Sequence, residues 1–346
     1  MKRKQLLFRA VPTCIFLGLL LKFPQEMTDG IRQGLTLCGT AVIPALFPFF
    51  VLCTFFTESG LCDAVGRAAD PLMQRLFRLP GSAAGAVLLG LCGGYPVGTR
   101  MTAQLCRNGS ISAKQAQRLC LFCVAAGPAF VTGTVGASML RSRTCGWILF
   151  FTVTLSALLL GFLLRFTAEP ESAPPPVCVP VSPAQALCNA VADAGTAMLP
   201  LCAWVLLFSG ISAVLQRLPA SAFLPLCCTL EVTNGCRAAA AYGLPLPVFA
   251  MILGFGGLSV HCQLLANIRD CGVRLSRFWA FRVLHGALSA VVCKALCACF
   301  PQAVPAVLLQ NGNIAEPVRI SVPVSAALLC TAAVFILNTS DLKKTQ

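Results

Sequence analysis

Long apolar runs, separated by short charged segments, constrain the fold of this chain more than any other feature of its sequence. Residues 35–56, 144–164, 197–215 and 283–300 are nearly free of charge, and about 20 apolar residues let a helix cross the roughly 30 Å hydrocarbon core of a bilayer. Of the 346 residues, 57% are hydrophobic and 11% charged, and the mean hydropathy is +0.80. The sequence therefore predicts an all-α, polytopic integral protein of the cell membrane, with about 8–10 membrane segments in the lipid bilayer.

The two ends of the chain carry further apolar runs. Residues 5–23 follow a basic cluster at residues 2–4 and lack a small-residue cleavage site, so we interpret them as a retained membrane helix and not as a signal peptide. The basic cluster places the N-terminus on the cytoplasmic side. Residues 322–338 predict a last membrane helix.

The charge balance and the motifs exclude several functions. The chain has 26 Lys and Arg against 12 Asp and Glu, but the basic residues stand singly between apolar runs and do not form the aromatic-interleaved patch that binds nucleic acid. We therefore predict no nucleic-acid partner. The sequence contains no nucleotide-binding loop, nucleophile elbow, zinc-protease helix or carboxylate dyad, so we predict neither an enzyme nor a cofactor.

Cysteine is abundant, with 21 residues, but most of these thiols lie within apolar runs, where they act as small hydrophobes. The closest approach to a metal motif is Cys120-Leu-Phe-Cys123, with Cys293, Cys297 and Cys299 as a second cluster. A structural metal site needs four converging ligands. We therefore predict packing roles for the thiols and no metal.

Two glycine pairs interrupt apolar segments in similar places of the two halves. They are Gly93-Gly94-Tyr95-Pro96 and Gly256-Gly257-Leu258-Ser259, and each is followed by a further glycine and a basic segment. Upstream of them, Gly39-Thr-Ala-Val-Ile-Pro44 matches Gly195-Thr-Ala-Met-Leu-Pro200. Ordered matches of this kind predict two related halves with broken or re-entrant helices.

The matches divide the chain into five parts. These are an N-terminal helix and loop at 1–29, a first repeat at 30–168, a proline-rich linker at 169–185, a second repeat at 186–300, and a C-terminal helix and tail at 301–346. An inverted repeat would place the basic segments after the two glycine pairs on opposite faces, whereas the positive-inside tendency favours one face for both. The sequence leaves this conflict open.

Polar groups within apolar segments mark the candidate site, because an unpaired polar group at membrane depth costs several kcal/mol and normally has a partner or a ligand. Glu231 could coordinate a cation, take up a proton or bind a polar solute; the alternative is an interfacial glutamate paired with Arg237. Backbone freed at the glycine pairs can contact a solute, or the glycines and nearby polar residues can serve helix packing. The predicted substrate-binding residues are Gly93, Gly94, Tyr95, Glu231, Thr233, Asn234, Gly256, Gly257, Ser259 and His261.

A polar stripe lies at the start of the second repeat. Asn189, Asp193 and Thr196 are spaced i, i+4 and i+7, which places them on one helical face. Gln33 and Thr40 repeat two of these three positions in the first half. The stripe predicts either a cavity wall or a solvated helix entrance.

Six motifs occur in order between about residues 35 and 285. They are Ile43-Pro-Ala-Leu-Phe-Pro-Phe-Phe50, Pro71-Leu-Met-Gln-Arg-Leu-Phe-Arg-Leu-Pro-Gly81, Gly93-Gly-Tyr-Pro-Val-Gly98, Gly127-Pro-Ala-Phe130, Leu230-Glu-Val-Thr-Asn-Gly235 and Gly256-Gly-Leu-Ser-Val-His261. Together they resemble the YlbJ-type sporulation integral membrane proteins, which carry nucleoside-recognition (Gate) domains. The resemblance implies two Gate-like repeats in a multi-pass membrane protein of an endospore-forming bacterium, with a part in spore cortex formation. Similar proteins carry an asparagine-containing stretch where this chain has Val124-Ala-Ala126, which bears on the identity of any solute.

These observations together predict a protein of this type that transports or gates a small polar solute, with nucleoside-like solutes as candidates. The alternative is a non-transporting scaffold for the machinery that forms the cortex, in which broken helices serve packing. The predicted partners of the protein are the bilayer, the solute, and either a second copy of the chain or another sporulation membrane protein. Transport predicts a water-accessible cavity that reaches Glu231 and both glycine pairs.

Overall fold

The computed structural model describes residues 14, 16–168 and 181–299. Every regular element within those ranges is helical, which confirms the predicted all-α class. The predicted first helix at 5–23 falls mostly outside the described residues, and the predicted last helix at 322–338 lies wholly outside them, as does most of the proline-rich linker.

In chain order, the first half contains α1 (Pro24–Leu37), α2 (Ile43–Glu58), α3 (Leu61–Phe77), α4 (Ala84–Gly93), α5 (Tyr95–Arg107), α6 (Ala113–Phe122) and α7 (Arg143–Leu164). The second half contains α8 (Pro183–Leu215), α9 (Ala220–Leu230), α10 (Val232–Ala241), α11 (Leu246–Phe255), α12 (Gly257–Asp270) and α13 (Leu275–Cys299). Two π-helical segments, Cys38–Val42 and Ala129–Met139, and the short 3-10 turns Gly81–Ala83 and Arg165–Thr167 belong to the first half.

Within the described ranges, five helical stretches are long and apolar enough to cross a membrane: Pro24–Glu58, Arg143–Thr167, Pro183–Leu215, Leu246–Leu265 and Leu275–Cys299. The first of these joins α1 and α2 through a π-helical segment, whose wide turn precedes a proline that cannot donate a backbone hydrogen bond. These stretches confirm the polytopic membrane fold. The predicted total of 8–10 segments also counts the apolar runs at both ends of the chain. The C-terminal run lies outside the described residues, and the N-terminal run is described only at residues 14 and 16–23.

Helix α3 mixes charged and apolar residues, as is typical of a helix that lies at the membrane interface. The following stretch, Gly81–Gly93, is bent by 91° from α3. The C-terminal carbonyls of α3 at Phe77 and Arg78 accept hydrogen bonds from the buried guanidinium of Arg118. This arginine stabilises the turn because the last carbonyls of a helix have no partner within the helix itself.

Four broken helices form the centre of the molecule. The breaks lie at Gly94 between α4 and α5, at residues 123–128 after α6, at Glu231 between α9 and α10, and at Gly256 between α11 and α12. Gly94 and Gly256 have φ values of +97° and +88°. Other residues adopt such values only with strain, so glycine is required where the chain must change direction between two half-helices.

The order of elements shows how the two halves correspond. Each half consists of a long helix, two broken helices and a second long helix, and the first half contains α3 in addition. In this order the break at Gly94 corresponds to the break at Glu231, and the break at 123–128 corresponds to that at Gly256. The two glycine pairs, although similar in sequence, are therefore not counterparts in the repeat. A direct match would pair the first break of one half with the second break of the other, because it does not allow for α3.

Close contacts between the breaks agree with this correspondence. A Cβ atom built on Gly94 would lie 3.2 Å from the backbone nitrogen of Gly127, and one on Gly257 would lie 3.0 Å from that of Val232. Within each half, the first break therefore contacts the second.

The corresponding long helices are antiparallel, so the repeat is inverted. Arg217, just after the C-terminal end of α8, forms an ion pair with Glu26 near the start of α1. At the other end, Asn189 near the start of α8 donates a hydrogen bond of 2.8 Å to Glu58, the last residue of α2. Inverted repeats of this kind are typical of transporters.

The basic segments after the two glycine pairs nevertheless lie at the same end of the molecule. Gln117 near the start of α6 donates a 3.1 Å hydrogen bond to the carbonyl of Gly272, in the turn between α12 and α13. The two segments can share an end because they are not equivalent in the repeat: the α5–α6 turn corresponds to the α10–α11 turn. The inverted repeat and the positive-inside tendency are therefore compatible, and the tendency assigns this end to the cytoplasm.

The close approach of α5 to the break at 123–128 is testable with one methyl group. A Cβ atom on Gly98 would collide with the backbone carbonyl of Cys123, whereas one on Gly39 would meet nothing within 4 Å. Overpacking of this kind typically costs about 1–3 kcal/mol. We expect Gly98→Ala to lower the thermal unfolding midpoint of the purified protein in detergent, and Gly39→Ala to leave it nearly unchanged. Equal midpoints for the two variants would contradict the contact.

Candidate functional site

A cavity of about 720 Å³ lies among the helix breaks. Its wall comes from both halves: the π-helical segment after α1, the start of α2, the breaks at Gly94 and 123–128, the middle of α8, and the break at Glu231. Phe49 and Phe130 provide aromatic surface, while the polar part of the wall is formed by Thr40, Thr134, Glu231, Thr233, Arg237 and Gln263. The cavity thus combines apolar walls with a few converging polar groups, as small-molecule sites do.

The predicted site residues fall into three groups. Gly93, Gly94, Tyr95, Glu231 and Thr233 line the cavity. Asn234 lines a neighbouring polar cavity of about 20 Å³, which is about the size of one water molecule. The remaining residues lie behind the wall, where they support the break at the second glycine pair: Gly256, Gly257, Ser259 and His261.

Glu231 is the N-cap of α10. Its backbone is extended, and its carboxylate accepts hydrogen bonds from the backbone N–H groups of Thr233, at 2.9 Å, and Asn234, at 2.7 Å. The residue is only 4% exposed. A carboxylate in this position satisfies amides that the helix itself leaves free and complements the positive end of the helix dipole. Glu231 therefore stabilises the start of α10 at the break and forms part of the cavity wall.

Tyr95 joins the two glycine breaks. It is the first residue of α5, and its hydroxyl donates a hydrogen bond of 2.5 Å to the carbonyl of Leu253 in the last turn of α11. The edge of its ring also lies against Gly256, where a Cβ atom would come within 3.2 Å. The phenol therefore ties the first half to the second directly beside the cavity.

Arg282 of α13 supports two breaks at once and is fully buried, at 0% exposed. Its guanidinium donates to the carbonyls of Gly254 and Phe255 at the end of α11, and to that of Val124 in the first half. Its described partners are carbonyl oxygens and not carboxylates. The arginine therefore satisfies backbone acceptors that the breaks deprive of helical partners.

The sequence analysis did not single out Arg282, because it looked like one more basic residue flanking a membrane segment. A signal was available: Arg282 stands between Phe281 and Val283, inside an apolar stretch. An ionisable residue in such a stretch usually faces the interior and has a partner there.

His261 takes part in the same support. Its Nε2 atom lies 2.8 Å from the carbonyl oxygen of Phe255, and its ring packs edge-on against Phe255, Phe278 and Trp279. Ser259 accepts a 3.3 Å hydrogen bond from Gln263, which does line the cavity. Ser259 is thus connected to the cavity through Gln263, whereas His261 packs against rings that do not line it.

The described cysteines are free thiols, and most of those in apolar runs are buried. Cys120 and Cys123 lie in the core, and the sulfurs of Cys293 and Cys297 are 4.0 Å apart. Among the described residues no group of three or more His, Cys, Asp or Glu side chains is arranged to hold a metal ion.

Comparison with known proteins shows what this chain is similar to. A family model described as Gate, nucleoside recognition, matches residues 40–167. The sporulation integral membrane protein YlbJ of Bacillus subtilis is 25% identical over 313 residues, which cover 78% of this chain and 77% of that protein. The predicted resemblance is confirmed. The inner membrane protein YjiG of Escherichia coli is 38% identical over 63 residues, which cover 18% of this chain and 40% of YjiG. No solved structure matches significantly.

The Gate match and the similarity to YlbJ cover different parts of the chain. The Gate match covers the first inverted half, from the π-helical segment to the end of α7. The second half lies outside this match, and its relation to the first rests on the order of helices and on the antiparallel long helices. The similarity to YlbJ covers most of the chain.

The role assigned to Arg282 predicts a large effect of one substitution. Arg282→Met keeps an apolar stem but removes the guanidinium that donates to three buried carbonyls, of which that of Phe255 still has His261 beside it. A hydrogen bond to a charged group contributes about 1.5–3 kcal/mol. We expect a strongly reduced yield of monodisperse protein and a lower thermal unfolding midpoint. Arg277→Met, at an exposed position of the same helix, is the control and should behave like the unmodified protein. Equal behaviour of the two variants would refute the supporting role.

Proposed function

We propose that this protein moves or gates a small polar solute across the cell membrane during sporulation, and that it is needed for formation of the spore cortex. The observation that carries the proposal is the cavity of about 720 Å³ that helix breaks from both inverted halves line. Binding sites near the midplane, formed by broken helices at a repeat interface, are the usual arrangement in secondary transporters.

The breaks give the cavity its capacity for polar ligands. Two half-helices, α5 and α10, begin at its wall, with Tyr95 and Val232 as their first residues. The first N–H groups of a helix have no acceptor within the helix and carry partial positive charge. Glu231 already accepts from two of those at α10, so a solute at this site would meet a helix start that carries a carboxylate.

Nucleoside-like solutes are the first candidates. Phe49 and Phe130 offer aromatic faces for a planar ring, and Thr233 and Gln263 offer hydrogen-bond donors and acceptors. The match to a family model described as nucleoside recognition supports the same class. The part in sporulation is supported by the similarity to YlbJ, which is named a sporulation integral membrane protein.

The decisive measurement is solute uptake by proteoliposomes that contain the purified protein. A panel of radiolabelled nucleosides and nucleobases serves as the probe. We expect uptake of at least one member, and a loss of tenfold or more with Glu231→Gln or Gly94→Leu. The first change removes the charge at the cavity wall. The second places a side chain at φ +97° and ψ −175°, beside Gly127, in a region that is almost restricted to glycine, at a cost of about 1–3 kcal/mol.

Two variants control for charge and for backbone strain. Asp29→Asn removes an exposed carboxylate from α1, and Gly243→Leu places a side chain at φ +63° in an open turn where a Cβ meets nothing within 4 Å. Both should retain uptake. If the unmodified protein takes up no member of the panel, while Glu231→Gln and Gly94→Leu both restore cortex formation in a deletion strain, the scaffold function replaces transport.

A further inference from the structure

A second cavity lies at the cytoplasmic end of the same helices. It measures about 1070 Å³, and most of its lining residues are polar, from the end of α2, the end of α5 and the start of α8. The predicted polar stripe of Asn189, Asp193 and Thr196 lines it. We call this space the vestibule, and we call the cavity of about 720 Å³ described above the central cavity.

Vestibule and central cavity follow one another along three helices. On α2, Phe49 lines the central cavity and Thr54 the vestibule; on α8, Leu201 lines the central cavity and Thr196 the vestibule. The same order holds on α5, from the break at Gly94 to Gln104. The two spaces therefore lie on one axis, separated on α2 by residues 50–53, a layer of about 6 Å at 1.5 Å per residue.

Buried side chains fill that layer. Phe50, Cys53 and Val97 are almost completely buried. The guanidinium of Arg100 lies over the ring of Phe50, 5.0 Å from its centroid, and forms an ion pair with Asp193 at the vestibule side of the layer.

Further hydrogen bonds hold this ion pair in place. Asp193 accepts a 2.5 Å hydrogen bond from the hydroxyl of Thr54, which in turn accepts one of 2.8 Å from the side-chain amide of Gln104. The backbone carbonyl of Asp193 also accepts a hydrogen bond from Arg100, at 3.3 Å. Arg100, Thr54 and Gln104 belong to the first half, and Asp193 belongs to the second, so the network closes across the boundary between the halves.

We propose that Arg100 and Asp193 form an ion-pair gate, which separates the central cavity from the cytoplasmic vestibule and opens when the two halves move apart. The inference rests on the proposed movement of a solute. The side chains of Arg100 and Asp193 are 13% and 40% exposed, and a partly exposed ion pair adds little net stability, which suits a contact that must break and re-form. Alternating access occurs by rocking of one repeat against the other.

The inverted repeat provides a comparison for this gate at the opposite end of the central cavity. Arg237 stands six residues after the break at Glu231, as Arg100 stands six after Gly94, but Leu37 holds the position that corresponds to Asp193, two residues before the matching glycine. Arg237 and Leu37 both line the cavity of about 20 Å³ at that end. Leu37 cannot pair with Arg237, so the described residues hold no counterpart of the Arg100–Asp193 pair at that end, where the exposed Arg217–Glu26 pair joins the halves instead.

Native cysteines allow a test that needs no solute. The thiol of Cys53 lies within the layer, 4.0 Å from the carbonyl of Val97, and is 0% exposed. The protein, in liposomes or detergent, is treated with a membrane-impermeant maleimide, and labelling is read for each cysteine by peptide mass spectrometry. We expect almost no label on Cys53 in the unmodified protein and a several-fold increase in Asp193→Asn and Arg100→Gln. Arg217→Gln, which removes the ion pair between the halves at the opposite end, is the matched control and should leave Cys53 unlabelled.

Labelling of two other buried thiols, Cys120 and Cys145, reports unfolding. The ion-pair gate is refuted if Cys53 stays unlabelled in both variants while Cys120 and Cys145 are protected. If all three become labelled, the variant has unfolded. Thr54→Val, which removes one hydrogen bond to Asp193 at nearly constant volume, is then tested in its place. Labelling of Cys53 alone supports the gate, and an unlabelled Cys53 refutes it. Increased labelling without uptake of any solute keeps the gate and removes the transport proposal; uptake without increased labelling removes the gate alone.

Discussion

Backbone groups freed at helix breaks, and the side chains that satisfy them, are the constraint on which the rest of this structure depends. In a bilayer a carbonyl or amide without a partner costs several kcal/mol, so a broken helix persists only where protein supplies the missing partners. Arg282, Tyr95 and His261 supply them for the end of α11, and Glu231 does so for the start of α10. With these partners in place, two half-helices can begin at the wall of a cavity instead of crossing the membrane unbroken.

The same contacts tie the inverted halves to each other. Tyr95 belongs to the first half and bonds α11 of the second, while Arg282 belongs to the second half and also bonds Val124 of the first. These bonds join the halves at the centre, and the Arg100–Asp193 pair joins them at the cytoplasmic end. The proposed opening breaks the Arg100–Asp193 pair and keeps these central bonds as the pivot.

Much of the architecture could be predicted from local sequence, but its correspondence between halves could not. The apolar runs, the breaks at Gly94 and Gly256, and the match of Gly39–Pro44 with Gly195–Pro200 follow from composition and from residues that only certain backbones accept. The pairing of the breaks was hidden because α3 shifts the register of the first half, and because a glutamate N-cap at Glu231 performs at one break what a glycine performs at its counterpart.

The sequence by itself determined the membrane class, the helical content, the existence of two related halves and the resemblance to YlbJ-type proteins, since all of these are written in hydropathy, glycine and short motifs along the chain. Only the tertiary structure decided that the halves are inverted, that Glu231 and Tyr95 share a cavity while His261 lies behind its wall, and that Arg282 and Asp193 are held by partners far away in the chain. The physical reason is that these properties depend on which atoms antiparallel helices bring within hydrogen-bonding distance, and spacing along the sequence carries no such information.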